Sequence, residues 1–334
     1  MINVAVIGAG GWGRNLVRNF AEMTSCRLTT VCDLNADLLK SFKAAYPHVA
    51  VTQNVADVLG DGETSAVVVA TPAPTHFDLA RRALEAGKHT YVEKPMTLSV
   101  ADSEKLVELA EQKNLRLMVG HLLEYHPCVL KLRDLIGGGD LGDVYYLYMH
   151  RLNLGVVRRD ENAWWSLAPH DVSVALFLFG AEPVTVTSQG QAYLRQGVED
   201  VVFTQLKFAD GRMAAIHVSW LDPHKMRKIT LVGTKKMVTF DDMEATEKIR
   251  IYDKSANVTA GAVGYADSIA LRQGDILIPV VKGGEPLRLE CEHFIQCIRD
   301  GQTPRSDGRD GLRVVRVLDA ATRSLRAGGA PVKI

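Results

Sequence analysis

The chain has 334 residues, enough for more than one core, and its 47% hydrophobic content is that of an ordinary globular protein. Thirty-nine basic residues balance 39 acidic ones, so no global field gathers nucleic acid or an anionic membrane, and any anionic ligand has to be held by local groups. Five scattered cysteines without a C-x-x-C pair argue against a disulfide framework or structural zinc and for reduced thiols in a cytoplasm.

The opening MINVAVIGAGG lacks a basic n-region and is interrupted by Trp12, Gly13 and Arg14, so it reads as neither a signal peptide nor a membrane span. INVAVI is the first of several short apolar runs, and GAGGWG (residues 8–13) follows it with the G-x-G-x-x-G spacing. In such a loop Gly8 permits the tight turn, Gly10 lets the backbone approach a pyrophosphate and Gly13 packs helix on strand, with Gly11 and Trp12 between them. The second run, LTTVC, ends at Asp33, placed to accept hydrogen bonds from adenosine ribose hydroxyls. A carboxylate there repels a 2′-phosphate and no arginine follows directly, which favours NAD over NADP.

AVVVA, HTYV and LRLMV continue the rhythm, and the segments between the runs carry apolar residues three and four apart, with Ser99 or Asp102 opening the last of these helices. This is a parallel, doubly wound α/β pattern up to about residue 120. Ligands of such sheets lie outside the carboxyl ends of the strands. Glu93 and Lys94, directly after HTYV, therefore stand at the functional edge, and Pro95 holds Lys94 in extended backbone. In GHLLEYHP, the spacing of His121, Glu124 and His126 is not H-E-x-x-H, so no metal is expected. Tyr125 and His126 read as pocket lining or packing, while His121, after the sixth strand, is a candidate to face a nicotinamide.

Beyond residue 143 the pattern changes to strands: VYYLYMHRLN, VEDVVFTQLKF, RMAAIHVSW, KITLVG, MVTF and KIRIY, with hairpin turns at Asp210-Gly211 and Gly233-Thr234. LAPHDVSVALFLFG reads as a helix on this sheet, residues 255–271 as a long loop, and LECEHFIQCIRDG and LRVVRVLDAATRSL as closing helices. The expected architecture is a Rossmann domain over residues 1–120 and an α+β domain on a large, mainly antiparallel open sheet over 121–334. The closing helices are candidates to pack back on the first domain. Residues 151–171 concentrate Arg151, Asn153, Arg158, Arg159 and Asn162 beside two tryptophans, and paired arginine forks suit a diphosphate.

GAGGWG, ATPAPTH (residues 70–76), the EKP tripeptide (93–95) and the two-domain layout together resemble the glucose-fructose oxidoreductase, inositol dehydrogenase and MocA (Gfo/Idh/MocA) family over essentially the whole chain. The resemblance implies a cofactor site at Gly8, Gly10, Gly11, Trp12, Gly13, Asp33, Thr71, Pro72, His76, Glu93 and Lys94, with NAD as cofactor. It places Lys94 beside the nicotinamide and the reacting hydroxyl, and makes His170 in SLAPHD the acid/base histidine. The family's D-x-x-x-H acid is replaced here by Ser166. Within the family the segment of residues 151–171 together with HVSWLDPHKMRKITLVGTKKMVTFDDME resembles the sugar-nucleotide 3-dehydrogenases, and most closely the UDP-N-acetylglucosamine 3-dehydrogenases. That resemblance implies oxidation of a UDP-sugar at C3 for 2,3-diamino sugars of the lipid A type, an aminotransferase as pathway partner, and a homodimer or homotetramer. The implied substrate residues are Lys94, His121, Arg151, Asn153, Arg158, Arg159 and His170.

Chemically, oxidising a secondary alcohol sends a hydride to the nicotinamide and a proton to a base. Histidine titrates near neutral pH unaided, whereas a lysine needs desolvation or a neighbouring cation. His170 is therefore assigned as base and Lys94 as the cation that polarises the oxygen, with the reverse assignment open. The competing functions are a free polyol or inositol dehydrogenase and a non-catalytic dinucleotide sensor.

Overall fold

The computed structural model describes residues 1–155, 157–158, 161–258 and 269–334. The elements begin with β1 (Ile2–Ile7), α1 (Gly13–Glu22), β2 (Cys26–Cys32), α2 (Ala36–Ala45), β3 (Ala50–Thr52), α3 (Val55–Gly60), β4 (Ala66–Val69), α4 (His76–Glu85), β5 (His89–Val92), α5 (Val100–Gln112) and β6 (Leu117–Val119). Then come α6 (Pro127–Gly137), β7 (Val144–Leu152), α7 (Ala163–Phe179), β8 (Pro183–Gln191), β9 (Val201–Phe208), β10 (Met213–Ser219), β11 (Met226–Gly233), β12 (Met237–Asp241), β13 (Ile249–Val258) and β14 (Ile269–Leu277). The chain closes with α8 (Pro286–Asp300), α9 (Gly308–Arg326) and β15 (Val332–Lys333). It divides into two compact units, one of Met1–Tyr125 with Gly284–Arg316, the other of His126–Gly283 with Val317–Ile334.

In the first unit the six strands are all parallel in the order β3-β2-β1-β4-β5-β6, the doubly wound arrangement whose switch point lies between β1 and β4. Val67, Val68 and Val69 have no exposed surface, as expected of a central parallel strand covered on both faces. Ser99 is the residue that caps α5, its hydroxyl accepting from the Asp102 N–H at 3.2 Å. Leu287, Cys291, Phe294 and Ile295 of α8 are buried in the same core as Val4, Leu16, Phe20 and Tyr91. Farther along, the Ser306 carbonyl accepts from the Val119 N–H at 2.8 Å, so the chain returns to the edge of this sheet.

The second unit is built on a nine-stranded sheet in the order β14-β13-β12-β11-β7-β10-β9-β8-β15, antiparallel except for β7 with β10. Strict alternation along β9 buries Val202, Thr204, Leu206 and Phe208 on one face. Two expectations are corrected here. The loop expected over 255–271 is strand at both ends, since β13 pairs β14 from Ser255↔Arg272 to Val258↔Ile269; the apolar residues there are few and interrupted, so no strand-length apolar run marks the pair. Residues 259–268, the middle of that loop, lie outside the described residues. The helix expected from Leu167 begins instead at Ala163, because the Asn162 side chain accepts from the Trp165 N–H at 3.0 Å and caps it. Pro169 then lies inside α7, where it forgoes a backbone hydrogen bond. No helix among the described residues is long and apolar enough to cross a membrane.

Candidate active site

β1 runs into the glycine loop through a left-handed turn at Gly8, φ +90°, where a side chain would also strike the Ala70 carbonyl at 2.7 Å. A Cβ on Gly13 would collide with the Gly8 carbonyl, so these two glycines are required by the fold itself. Gly10 and Gly11 differ. A Cβ on either meets nothing within 4 Å, and neither has a left-handed backbone, so packing does not require these two glycines and the space beside them is open. The start of α1 has no side-chain cap and no acid in its first turn, which suits an anion there, while the Arg14 and Asn15 N–H groups already donate to the Gly10 and Trp12 carbonyls at 3.1 and 2.8 Å. Asp33 accepts from the Ala9 N–H at 2.8 Å and the Asn35 N–H at 2.9 Å, one on each oxygen, fixing its carboxylate beside the loop. A carboxylate has about four acceptor sites, so two remain for ribose hydroxyls. These features fit a dinucleotide.

At the carboxyl end of β5, Glu93 is buried and Lys94 half-buried. Glu93 Oε1 accepts from the Trp12 indole N–H at 2.7 Å and the Tyr91 hydroxyl at 3.3 Å, and Oε2 accepts from the Lys94 N–H at 3.2 Å. Burial pushes its carboxyl upward, against the pull of Lys94 and of these donors. The EKP acid is thus tied to the glycine loop. His76, at the start of α4, is buried with its ring nitrogens 2.8 Å from the Pro95 and Thr71 carbonyls, so it cross-links the turns after β4 and β5. Thr71 is half-buried and its hydroxyl pairs with Thr75 at 2.6 Å, while Pro72 is exposed beside it.

His121 is fully buried after β6. Its Nδ1 lies 2.8 Å from Asp310 of α9 and 3.6 Å from Glu124, and Asp310 also accepts from Arg313 at 2.6 Å. Burial opposes a charge on the imidazole, but the two carboxyls outweigh it and raise its pKa to about 10. The side chains of His121, Glu124 and Asp310 are close enough to share an ion, with ligand atoms within 4.8 Å of one another. The imidazole is hydrogen-bonded to Asp310, while both Glu124 carboxyl oxygens and His121 Nε2 are buried with no hydrogen-bond partner among the described residues.

In the second unit, His170 is half-buried in the middle of α7. Arg151, on β7, closes its guanidinium on Asp171 with two bonds of 2.6 and 3.0 Å, so the strand and helix are clamped together. Asn153 is half-buried just beyond β7. Arg158 is exposed and pairs with Glu161 at 3.0 Å, and Arg159 lies outside the described residues.

A family model described as the Gfo/Idh/MocA oxidoreductase family, NAD-binding Rossmann fold, matches residues 2–121, and one for the Gfo/Idh/MocA C-terminal domain matches residues 129–239. The chain belongs to this family. Among its relatives, UDP-N-acetylglucosamine 3-dehydrogenase of Acidithiobacillus ferrooxidans is 28% identical over 321 residues, covering 94% of each chain. Its solved structure superposes with a TM-score of 0.82 over 98% of both chains at 26% identity. The scyllo-inositol 2-dehydrogenase (NAD(+)) of Bacillus subtilis is 26% identical, covering 100% of this chain and 96% of that one.

In this family member the loop glycines, Trp12, Asp33 and Glu93 are brought together within the first unit, joined by the hydrogen bonds of Ala9 to Asp33 and of Trp12 to Glu93. Sequence reasoning missed Tyr91, Glu290 and Asp310, the buried partners behind this edge. A signal for Glu290 was present: with Leu287, Cys291 and Phe294 it completes an i, i+3, i+4, i+7 stripe, an ionisable residue on the buried face of a helix.

Proposed function

We propose that this protein is an NAD-dependent dehydrogenase of the C3 hydroxyl of UDP-N-acetylglucosamine, yielding the 3-keto sugar nucleotide. The observation that carries the reading is the likeness, in sequence and in fold, to UDP-N-acetylglucosamine 3-dehydrogenase along nearly the whole of both chains. The inositol relative, at 26% identity, supports the competing reading of a free cyclitol substrate.

NAD, when bound, supplies the acceptor for the hydride. The glycine loop at Gly10 and Gly11 would hold its pyrophosphate and Asp33 its ribose hydroxyls. Lys94 polarises the reacting oxygen. His170 accepts its proton while the C3–H bonding pair leaves as hydride, so C3 and its oxygen become a ketone. Arg158 and Arg159 hold the diphosphate, whose remote binding aligns the hexose, an effect worth up to roughly 7–11 kcal/mol in favourable cases. Arg151, clamped on Asp171, is assigned to holding α7 in place. A ketone at C3 is the group an aminotransferase needs to install an amine there.

The test uses UDP-N-acetylglucosamine deuterated only at C3, with mass spectrometry of the reduced cofactor. Deuterium is expected on the nicotinamide. Turnover without transfer means another carbon is oxidised, turnover of free inositol alone establishes the cyclitol reading, and NAD binding without turnover of any sugar marks a sensor.

A further inference from the structure

Two buried carboxyls flank one phenol behind the cofactor loop. The Tyr91 hydroxyl lies 3.3 Å from Glu93 Oε1 and 3.0 Å from Glu290 Oε2, and all three side chains are buried. A phenol has one proton to give, so both contacts are hydrogen bonds only if one carboxyl carries a proton of its own. Glu93 already accepts N–H donors on both oxygens, from Trp12 and from Lys94. Glu290 accepts none, and its Oε1 has no partner among the described residues. Burial first, then the like charge of Glu93, press it towards the neutral form, with a smaller push from Glu124 and with the Tyr91 hydrogen bond and His121 opposing. These donors favour a chain that runs from Glu290 through Tyr91 to Glu93.

We propose that Glu290 is a positioning residue for the cofactor loop: as a neutral acid it donates to the Tyr91 hydroxyl, Tyr91 donates to Glu93, and Glu93 holds the Trp12 indole at the start of α1. Trp12 is the residue immediately before α1, so pinning its indole fixes the end of the glycine loop and the start of the helix. Gly120 leaves the space for this chain. A Cβ there would stand 2.8 Å from the Tyr91 hydroxyl and 3.0 Å from the Glu93 carboxyl, although its backbone is not left-handed. The inference rests on the glycine loop being the NAD site.

The experiment measures NAD dissociation constants by calorimetry on the full chain. Glu290→Leu is expected to weaken binding roughly three- to tenfold, the scale of one lost orienting hydrogen bond, and Glu290→Gln, which keeps a neutral donor, to recover most of it. Tyr91→Phe keeps the ring and breaks the relay, so it gives the same loss even where Glu290→Leu does not fold. In a Trp12→Phe background the Tyr91→Phe loss disappears, because the chain acts through the indole. Equal losses for the Leu and Gln variants, or additive losses for Tyr91→Phe and Trp12→Phe, overturn the inference. A wild-type protein that does not bind NAD sinks the cofactor-site reading itself, a different result from normal wild-type binding with indifferent variants.

Discussion

Replacing Arg151 by methionine separates the two roles open to this arginine, that of a diphosphate ligand and that of a clamp between β7 and α7. Its guanidinium makes two bonds to Asp171, and the two side chains are only 11% and 3% exposed. Removing one partner of so buried a pair leaves Asp171 charged and uncompensated, which costs roughly 3–5 kcal/mol. The second unit has about 180 residues, and an unfolding entropy of about 2.1 cal/mol/K per residue gives about 0.4 kcal/mol/K, so Tm should fall by roughly 8–13 °C. Differential scanning calorimetry reads this directly. Arg151→Met/Asp171→Leu, which removes both charges, should recover most of the loss, since an apolar pair of similar size commonly replaces a buried ion pair at little cost. An unchanged Tm for Arg151→Met, combined with weakened binding of a UDP-sugar, would refute the clamp and make the guanidinium a ligand group.

Asp33→Ala should weaken NAD binding roughly ten- to a hundredfold and narrow the preference over NADP, by calorimetry with both cofactors; a wild type that prefers NADP defeats the charge argument. Lys94→Met and His170→Asn should each lower kcat roughly a hundred- to ten-thousandfold with a much smaller change in NAD affinity, and near-normal turnover of His170→Asn would return that histidine to a packing role. All five cysteines are free and buried, and burial pushes the thiols of Cys26, Cys32 and Cys128 up to about 11. At pH 8 the native protein should therefore resist iodoacetamide and react at all five after denaturation, as counted by intact mass; rapid labelling of the native fold would show that a thiolate is accessible.

The features legible in the sequence are those whose causes are local. Gly8 and Gly13 are dictated by a turn and a helix approach within one βαβ unit, Asp33 by the end of the next strand, and Glu93 and Lys94 by the strand end that Pro95 closes. The strand rhythm of the first 120 residues was equally plain, because a parallel sheet covered on both faces demands continuous apolar runs. Partnership across the chain was not legible. The Tyr91–Glu290 bond joins residues 199 positions apart, and His121–Asp310 joins residues 189 apart. Nor did Arg151 announce that its fork closes on Asp171; an arginine on a loop-bound strand looks the same whether it meets a carboxylate of its own fold or a phosphate. β14 was hidden because Arg272, Gln273, Gly274 and Asp275 interrupt its apolar residues, and Leu271, Ile276 and Leu277 are exposed, so no buried face imposes a period of two. Composition and periodicity report which face of an element is buried, but the charge state and hydrogen-bond direction of a buried polar group depend on which other groups the fold brings within about 3 Å, and only the tertiary structure sets that distance.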